Sequence, residues 1–132
     1  MNFDGSWSGS GAVQAKGNNR RCALVEMQFT QTKESLEVKN LGWTCGDISK
    51  KWPEPIVFKI EKGHLLYNDI KVGEVSEFKI HLMAKTQNSQ SNFYLLYHSK
   101  THVTTYREVI RFANKQVWTV SGQMTKNKKG AF

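Results

Sequence analysis

The side chains best suited to chemistry in this sequence are four histidines, two cysteines and three carboxylates on apolar segments. The histidines are His64, His81, His98 and His102. Their spacing does not match that of metal ligands, and neither cysteine belongs to a Cys-x-x-Cys pair, so we expect no metal site and no cofactor. The carboxylates are Glu26, Glu61 and Glu108. A carboxylate that points into the fold can act as a base or anchor a ligand. Most carboxylates on strands face outward instead.

The sequence lacks the common motifs of nucleophilic catalysis and of phosphate binding. It contains neither a Gly-x-Ser-x-Gly nucleophile motif nor a glycine-rich phosphate loop followed by a helix. The sequence therefore predicts a binding protein and not an enzyme.

The two cysteines lie in two apolar runs that flank a polar turn at residues 33–34. An antiparallel register about this turn pairs Phe29 with Val38 and Leu24 with Trp43. The same register sets Cys22 opposite Cys45, at a separation that a disulfide bond can span. We therefore predict this disulfide and an oxidising compartment, with two buried free thiols as the alternative. The start of the chain lacks the pattern of a signal peptide, so we expect a periplasmic or secreted protein whose leader was removed, or else a cytoplasmic one.

Short apolar and β-branched runs between polar or glycine-bearing turns predict ten strands and almost no helix. The predicted strands span residues 6–14, 21–31, 36–45, 55–61, 64–67, 70–75, 77–85, 92–98, 102–113 and 116–125. Two-residue turns at 62–63 and 114–115 pair Ile60 with Leu65 and Phe112 with Val117. The stretch 46–55 is irregular, and we expect a rim loop or lid in which Trp52 caps an opening or packs.

Alternating apolar and polar residues along these strands indicate one buried face of the sheet. An open sheet of about ten short strands would leave exposed edges, which an up-and-down barrel removes. We predict one antiparallel meander β-barrel of about 8–10 strands over residues 1–125, with a basic tail at 126–132. A two-sheet sandwich is the competing fold. No apolar run approaches the length of about 20 residues that a membrane helix needs.

The segment Gly5-Ser6-Trp7 resembles the Gly-x-Trp signature of the calycins, which include lipocalins, fatty-acid-binding proteins and avidins. The resemblance implies that Trp7 closes one end of the barrel and packs against an arginine of a late strand, either Arg107 or Arg111. The run from Gly5 to Gly11 also resembles the start of nitrobindin-type haem barrels, but the long final strands contain no histidine after His102. The helical lid of the fatty-acid-binding proteins has no counterpart in the sequence.

The calycin resemblance implies a lipocalin-like barrel that holds a small hydrophobic or amphipathic ligand. An envelope module that binds a protein or acts as an inhibitor through its outer face is the alternative, and a completely filled interior is a further one. The predicted pocket consists of Met27, Phe29, Val38, Phe58, Leu65, Phe78, Ile80, Leu82, Phe93, Leu95 and Tyr97.

The net charge of +8 and pI near 9.6 favour an anionic partner or surface, although scattered cations also serve solubility. A nucleic-acid face would use Tyr94, Tyr97, Tyr106, Arg107 and Arg111. We do not favour nucleic acid, because the strands are too many for an OB-fold. We expect a monomer or a weak dimer.

Overall fold

A computed structural model describes residues 3–127, and these form eleven β-strands. The strands are β1 (Gly5–Ala15), β2 (Asn18–Gln31), β3 (Ser35–Cys45), β4 (Ile48–Lys51), β5 (Ile56–Glu61), β6 (His64–Tyr67), β7 (Ile70–Val75), β8 (Lys79–Lys85), β9 (Ser89–His98), β10 (Val103–Phe112) and β11 (Val117–Lys126). β11 ends at Lys126, the first residue of the predicted basic tail. Residues 128–132 lie outside the described residues.

The sheet closes on itself as an antiparallel meander. The strand order is β2-β1-β11-β10-β9-β8-β7-β6-β5-β3-β4, and β2 also pairs with β3. That last pairing joins the two sides of the sheet, so ten strands form a ring, and β4 occupies the end position beside β3. The prediction of a single up-and-down barrel is confirmed.

Two glycines of the first strand allow β1 to lie close to β11. A Cβ atom on Gly9 would come 1.8 Å from the carbonyl oxygen of Gln123, and one on Gly11 would come 1.9 Å from that of Ser121. Both distances are far below any real contact, so only glycine fits. Gly9 and Gly11 therefore allow the first and last strands to pair closely, which helps to close the barrel.

The hairpin turns confirm one predicted register and correct another. The turn at 62–63 pairs Ile60 with Leu65 as predicted, with Lys62 at φ 51° and Gly63 at φ 79°. At the β10–β11 hairpin, however, Arg111 rather than Phe112 pairs with Val117. The loop there has three residues: the Phe112 amide bonds to the Gln116 carbonyl oxygen at 2.9 Å, and Lys115 adopts φ 69°. A three-residue loop ending in a left-handed residue is a common hairpin form that shifts the register by one.

A β-bulge alters the β2–β3 register but keeps the disulfide bond. Phe29 pairs with Val38 as predicted, but Leu24 pairs with Thr44 rather than with Trp43. The shift lies between Glu26 and Gln28, opposite a stretch of β3 in which Asn40 has φ 51°. Cys22 and Cys45 form the predicted disulfide across these strands, with Cα atoms 3.9 Å apart. Both cysteines are fully buried.

The stretch 46–55 is not a loop throughout, because it contains β4. Its residues pair with the second half of β3, whereas β5 pairs with the first half, so the two short strands share one side of β3. Trp52 lies between them, with 9% exposure, and its amide donates to the Leu41 carbonyl oxygen at 2.9 Å. Trp52 is a packed core residue, and its ring contacts Phe93 edge-on at 5.5 Å.

The disulfide bond has a measurable effect on stability. It joins residues 23 positions apart, so replacing both cysteines with serine should lower the free energy of unfolding by about 3 kcal/mol through the greater entropy of the unfolded chain. Urea unfolding of the wild type and the double variant measures this difference. Alkylation of the unfolded wild type without reductant should add no label, and two added labels would contradict the bond.

Candidate functional site

The barrel has one aromatic end and one open end. At the first, Trp7 is 2% exposed and packs against Phe3 and Tyr97, with ring centroids 6.2 and 6.0 Å away. Its indole nitrogen donates to the Phe3 carbonyl oxygen at 2.9 Å. Aromatic rings therefore close this end, as the calycin resemblance implies for Trp7.

The arginine partner implied by the resemblance is wrong for this chain. Arg107 and Arg111 are exposed on β10, whereas the alternate residues Tyr106, Glu108 and Ile110 are buried. Because successive side chains of a strand point to opposite faces, both arginines lie on the outer wall and not against Trp7.

Nine of the eleven predicted pocket residues are packed into the interior, with exposures of 0–4%. They are Met27, Phe29, Val38, Phe58, Leu65, Ile80, Leu82, Phe93 and Leu95. All belong to one hydrophobic core, against which Tyr97 is partly buried. Phe78 departs from the prediction: it precedes β8, is 38% exposed and stacks on Tyr97 at 6.3 Å. These residues fill the barrel as a core.

A polar cluster interrupts this core around the carboxylate of Glu108, which is completely buried. The indole nitrogen of Trp43 donates to Glu108 Oε1 at 3.2 Å, and the Tyr106 hydroxyl donates to the same oxygen. The Lys50 ammonium donates to Glu108 Oε2 at 2.8 Å. Both carboxylate oxygens are thus hydrogen-bonded, which is what a buried charge requires.

Lys50 reaches this carboxylate from the edge strand β4. It pairs with Trp43 across the β3–β4 ladder, so both side chains cross the barrel together towards β10. The Lys50 ammonium also donates to Ser91 Oγ at 3.3 Å and lies 5.8 Å from the centroid of the Phe93 ring. The Lys50 side chain is 34% exposed. The cluster therefore connects the interior to the surface at β4.

Tyr106 remains protonated in this environment. Burial raises its pKa well above the usual value of 10, and the neighbouring Glu108 carboxylate adds to the increase through its charge and hydrogen bond. A neutral tyrosine donating to a carboxylate is the expected state of this pair.

A cleft of about 250 Å³ lies at the open end of the barrel. Val13, Ala15, Ile48 and Trp118 supply its apolar walls, and Lys16 and Arg20 add positive charge at its rim. Arg20 is ion-paired with Asp47. The Trp118 ring is held edge-on against Phe112 at 5.2 Å.

The cleft and the polar cluster are adjacent parts of the barrel. Ile48 and Lys50 lie on the same face of β4, two residues apart, which is about 7 Å along a strand. Val13 pairs with Val120, which in turn pairs with Glu108. The ion pair between Lys50 and Glu108 thus fixes the strand that carries one wall of the cleft.

Sequence reasoning found Glu108 but missed most of the cluster around it. Glu108 was named among the strand carboxylates, and its spacing from Tyr106 and Ile110 on β10 would have placed it on the inner face. The sequence pattern does not place Lys50 or Trp43 next to Glu108. Lys50 lies in a stretch without visible alternation of apolar and polar residues. The bulge in β3 also had to be known before Trp43 could be aligned with its partners.

The fold is a closed antiparallel meander β-barrel. No protein-family model matches the chain, and no curated protein matches it. A solved structure that it resembles is the S-type phycobiliprotein lyase CPES from Guillardia theta, with a TM-score of 0.58 and 11% sequence identity. The alignment covers 96% of this chain and 89% of that chain. At this identity the likeness shows the fold alone.

This neighbour corrects the expectation that the chain is not an enzyme. That expectation rested on missing motifs and on a barrel suited to binding, yet a protein with a similar barrel fold is a phycobiliprotein lyase. The fold therefore does not argue against catalysis. Among residues 3–127, no helix is long and apolar enough to cross a membrane. The disulfide bond is consistent with an oxidising compartment.

Loss of the Tyr106 hydroxyl should change the response of the protein to alkaline pH. The native pKa of Tyr106 exceeds that of the unfolded chain. Its contribution to the free energy of unfolding is therefore complete below about pH 10 and is lost as pH rises through the native pKa. Tyr106→Phe should cost about 1–2 kcal/mol at pH 8 through the lost hydrogen bond. Above pH 10 its stability should fall less steeply than that of the wild type.

Urea unfolding at pH 8 and at about pH 11 measures both effects. Tyr67→Phe, at a tyrosine that is 46% exposed, is the control and should keep the steep alkaline loss because Tyr106 remains. Equal slopes for Tyr106→Phe and the wild type would contradict the assignment.

The ion pair between Lys50 and Glu108 can be tested by a double-mutant cycle. Lys50→Met leaves a buried carboxylate without its cation and should cost about 1–3 kcal/mol, less than for a fully buried pair because Lys50 reaches solvent. The double variant with Glu108→Gln should recover part of this loss, because no buried charge remains. Additive losses in urea unfolding would show that the two side chains do not interact.

Proposed function

We propose that this barrel binds a small amphipathic ligand at its open end, with the apolar part of the ligand in the cleft and an anionic group at the rim. The observation that carries the proposal is the cleft itself, which combines apolar walls with a cationic rim. Val13, Ala15, Ile48 and Trp118 offer apolar contact, and Lys16 offers the net positive charge of the rim because Arg20 is paired with Asp47. Ligand sites in proteins commonly combine apolar walls with a few polar groups that fix orientation.

The filled interior limits the size of this ligand. The predicted pocket residues pack against each other with almost no exposure, so the centre of the barrel offers no room unless the core moves. A cleft of about 250 Å³ lies just below the usual range for small-molecule sites, about 300–1,000 Å³. The proposal therefore favours a compact ring system or a short chain over a long-chain lipid.

The compartment proposed for this function is the periplasm or the extracellular space. The disulfide bond supports it, because such bonds persist in oxidising environments. Binding of a partner protein through the outer face remains the alternative function, and native mass spectrometry of the freshly purified protein distinguishes the two. A co-purified small molecule supports the cleft, and a co-purified protein with an empty cleft argues against it.

A variant that fills the cleft should abolish ligand binding. We choose the probe 1-anilinonaphthalene-8-sulfonate, whose rings and sulfonate match the walls and the rim. Ala15→Phe places a large side chain in the cleft and should raise the dissociation constant at least about tenfold, equivalent to about 1.4 kcal/mol. Fluorescence titration measures the change.

The matched control for this experiment is Ala23→Phe. Ala23 lies on the neighbouring strand β2 and is exposed, so the same substitution adds equal apolar area away from the cleft. This variant should bind the probe as the wild type does. A loss of binding in both variants, or in neither, would contradict a site at the open end.

A further inference from the structure

The charges of this chain are distributed unevenly along its sequence. Residues 18–77 contain nine Lys and Arg and nine Asp and Glu, so that segment has a net charge of zero. Residues 78–127 contain seven Lys and Arg and one acidic residue, Glu108, which gives a net charge of +6. The excess positive charge of the described chain therefore belongs to its last strands.

The fold gathers these strands into one wall of the barrel. β8, β9, β10, β11 and β1 are consecutive neighbours in the sheet, and β1 has no charged residue. Glu108 is the one acidic residue in the five strands, and its side chain is buried inside the barrel. The outer surface of these strands, which we call the basic wall, thus presents no carboxylate of its own.

Four cations of the basic wall lie on its outer face and are exposed: Lys79, Lys85, Arg107 and Arg111. A fifth, Lys126, is exposed at the end of β11, on the side of that strand that carries the buried Met124. The carboxylate of Glu74 borders the wall on β7, opposite His81, but it is bonded to Lys71 at 3.0 Å and so contributes little net charge. The outer face of β8 and β10 therefore carries a net positive charge.

The outer face of β10, β11 and β1 beside Arg107 is rich in small polar groups. A shallow groove of about 580 Å³ runs beside Arg107 and is lined by Ser10, Ala12, Thr105, Ser121 and Gln123. Tyr94 pairs with Arg107 on the neighbouring strand and is 42% exposed. Its ring is stacked on His81 at 4.7 Å with an interplanar angle of 5°, which fixes its orientation.

We infer that the basic wall binds an acidic polysaccharide. Its arginines and lysines match carboxylate or sulfate groups, the hydroxyl and amide side chains of the groove match sugar hydroxyls, and the exposed part of the Tyr94 ring offers apolar contact to a sugar ring. This site is separate from the open-end cleft and does not depend on the function proposed for it.

The same features argue against single-stranded nucleic acid as the partner. Such ligands need a series of aromatic rings on which successive bases stack. Among the outward-facing side chains of the five strands of the wall, Tyr94 is the one phenol or indole. Tyr106 and Tyr97, which a nucleic-acid face would have used, point inward and belong to the core side of the sheet. The disulfide bond also favours a compartment where polysaccharides are the common polyanions.

Binding to soluble polysaccharides tests the inference. The probes are polygalacturonate for carboxylates, heparin for sulfates, neutral dextran as the uncharged control, and an oligothymidylate for nucleic acid. Titrations at about 0.05 M and about 0.3 M salt should show binding of an acidic polysaccharide that weakens with salt, and none of dextran. The variant Lys79→Glu with Arg107→Glu should lose about tenfold or more in affinity.

The matched control is Lys33→Glu with Lys59→Glu, which makes the same change in net charge at exposed residues outside the wall. Its affinity should stay within about twofold of the wild type. Tyr94→Ala should weaken polysaccharide binding without any change in charge. Equal losses in both double variants, tighter binding of the oligothymidylate, or no binding to either acidic polysaccharide would overturn the inference.

Discussion

The buried carboxylate of Glu108 is the constraint on which the rest of the structure depends. A charge in an apolar interior is costly unless each of its oxygens has a partner. Trp43, Tyr106 and Lys50 supply those partners, and two of the three come from the opposite side of the barrel. The core can therefore close around Glu108 only when β3 and β4 are in their native positions.

This requirement explains how a short edge strand keeps its place. β4 has four residues and pairs with β3 alone in the sheet order. Lys50 and Trp52 add a second attachment, one to Glu108 and the other to Phe93. With β4 held in this way, Ile48 forms a stable wall of the open-end cleft. The polar cluster thus positions the cleft, while the apolar core provides the remaining stability.

The two ends of the barrel and its outer wall differ in their chemical character. Aromatic rings seal the end around Trp7, the cleft opens at the other end, and the excess positive charge of the outer wall lies along β8 and β10. The two ligands that we propose therefore bind to separate surfaces. The neighbouring lyase structure shows that this fold is compatible with more than passive binding, although it assigns no reaction to this chain.

Much of the fold could be predicted from the sequence because its signals are local. Alternation of apolar residues, two-residue turns and the paired cysteines fixed the strand order, the disulfide and the closure of the barrel. The errors arose where one residue is inserted: Asn40 in the β3 bulge and Lys115 in the last turn each shift a register by one. β4 escaped prediction because its stability comes from distant partners and not from its own pattern.

The candidate site was less predictable because it, too, depends on contacts between residues far apart in the sequence. Its inner residues were identified as apolar, but whether they leave a cavity depends on how closely the walls approach, which no local pattern encodes. Because the interior is filled, the site that we propose lies at the mouth of the barrel and not at its centre. The importance of Lys50 depends on its contact with Glu108, a residue 58 positions away, which the sequence pattern does not reveal.

The most direct test of the site uses the four tryptophans as reporters. Trp118 lines the cleft, Trp43 contacts Glu108, Trp52 packs on Phe93, and Trp7 closes the far end. In ¹⁵N-labelled protein, each indole N–H gives one resonance that can be followed during titration with 1-anilinonaphthalene-8-sulfonate. A ligand at the open end should shift the Trp118 resonance most and leave that of Trp7 in place. A shift of Trp7 with Trp118 unchanged would contradict the account.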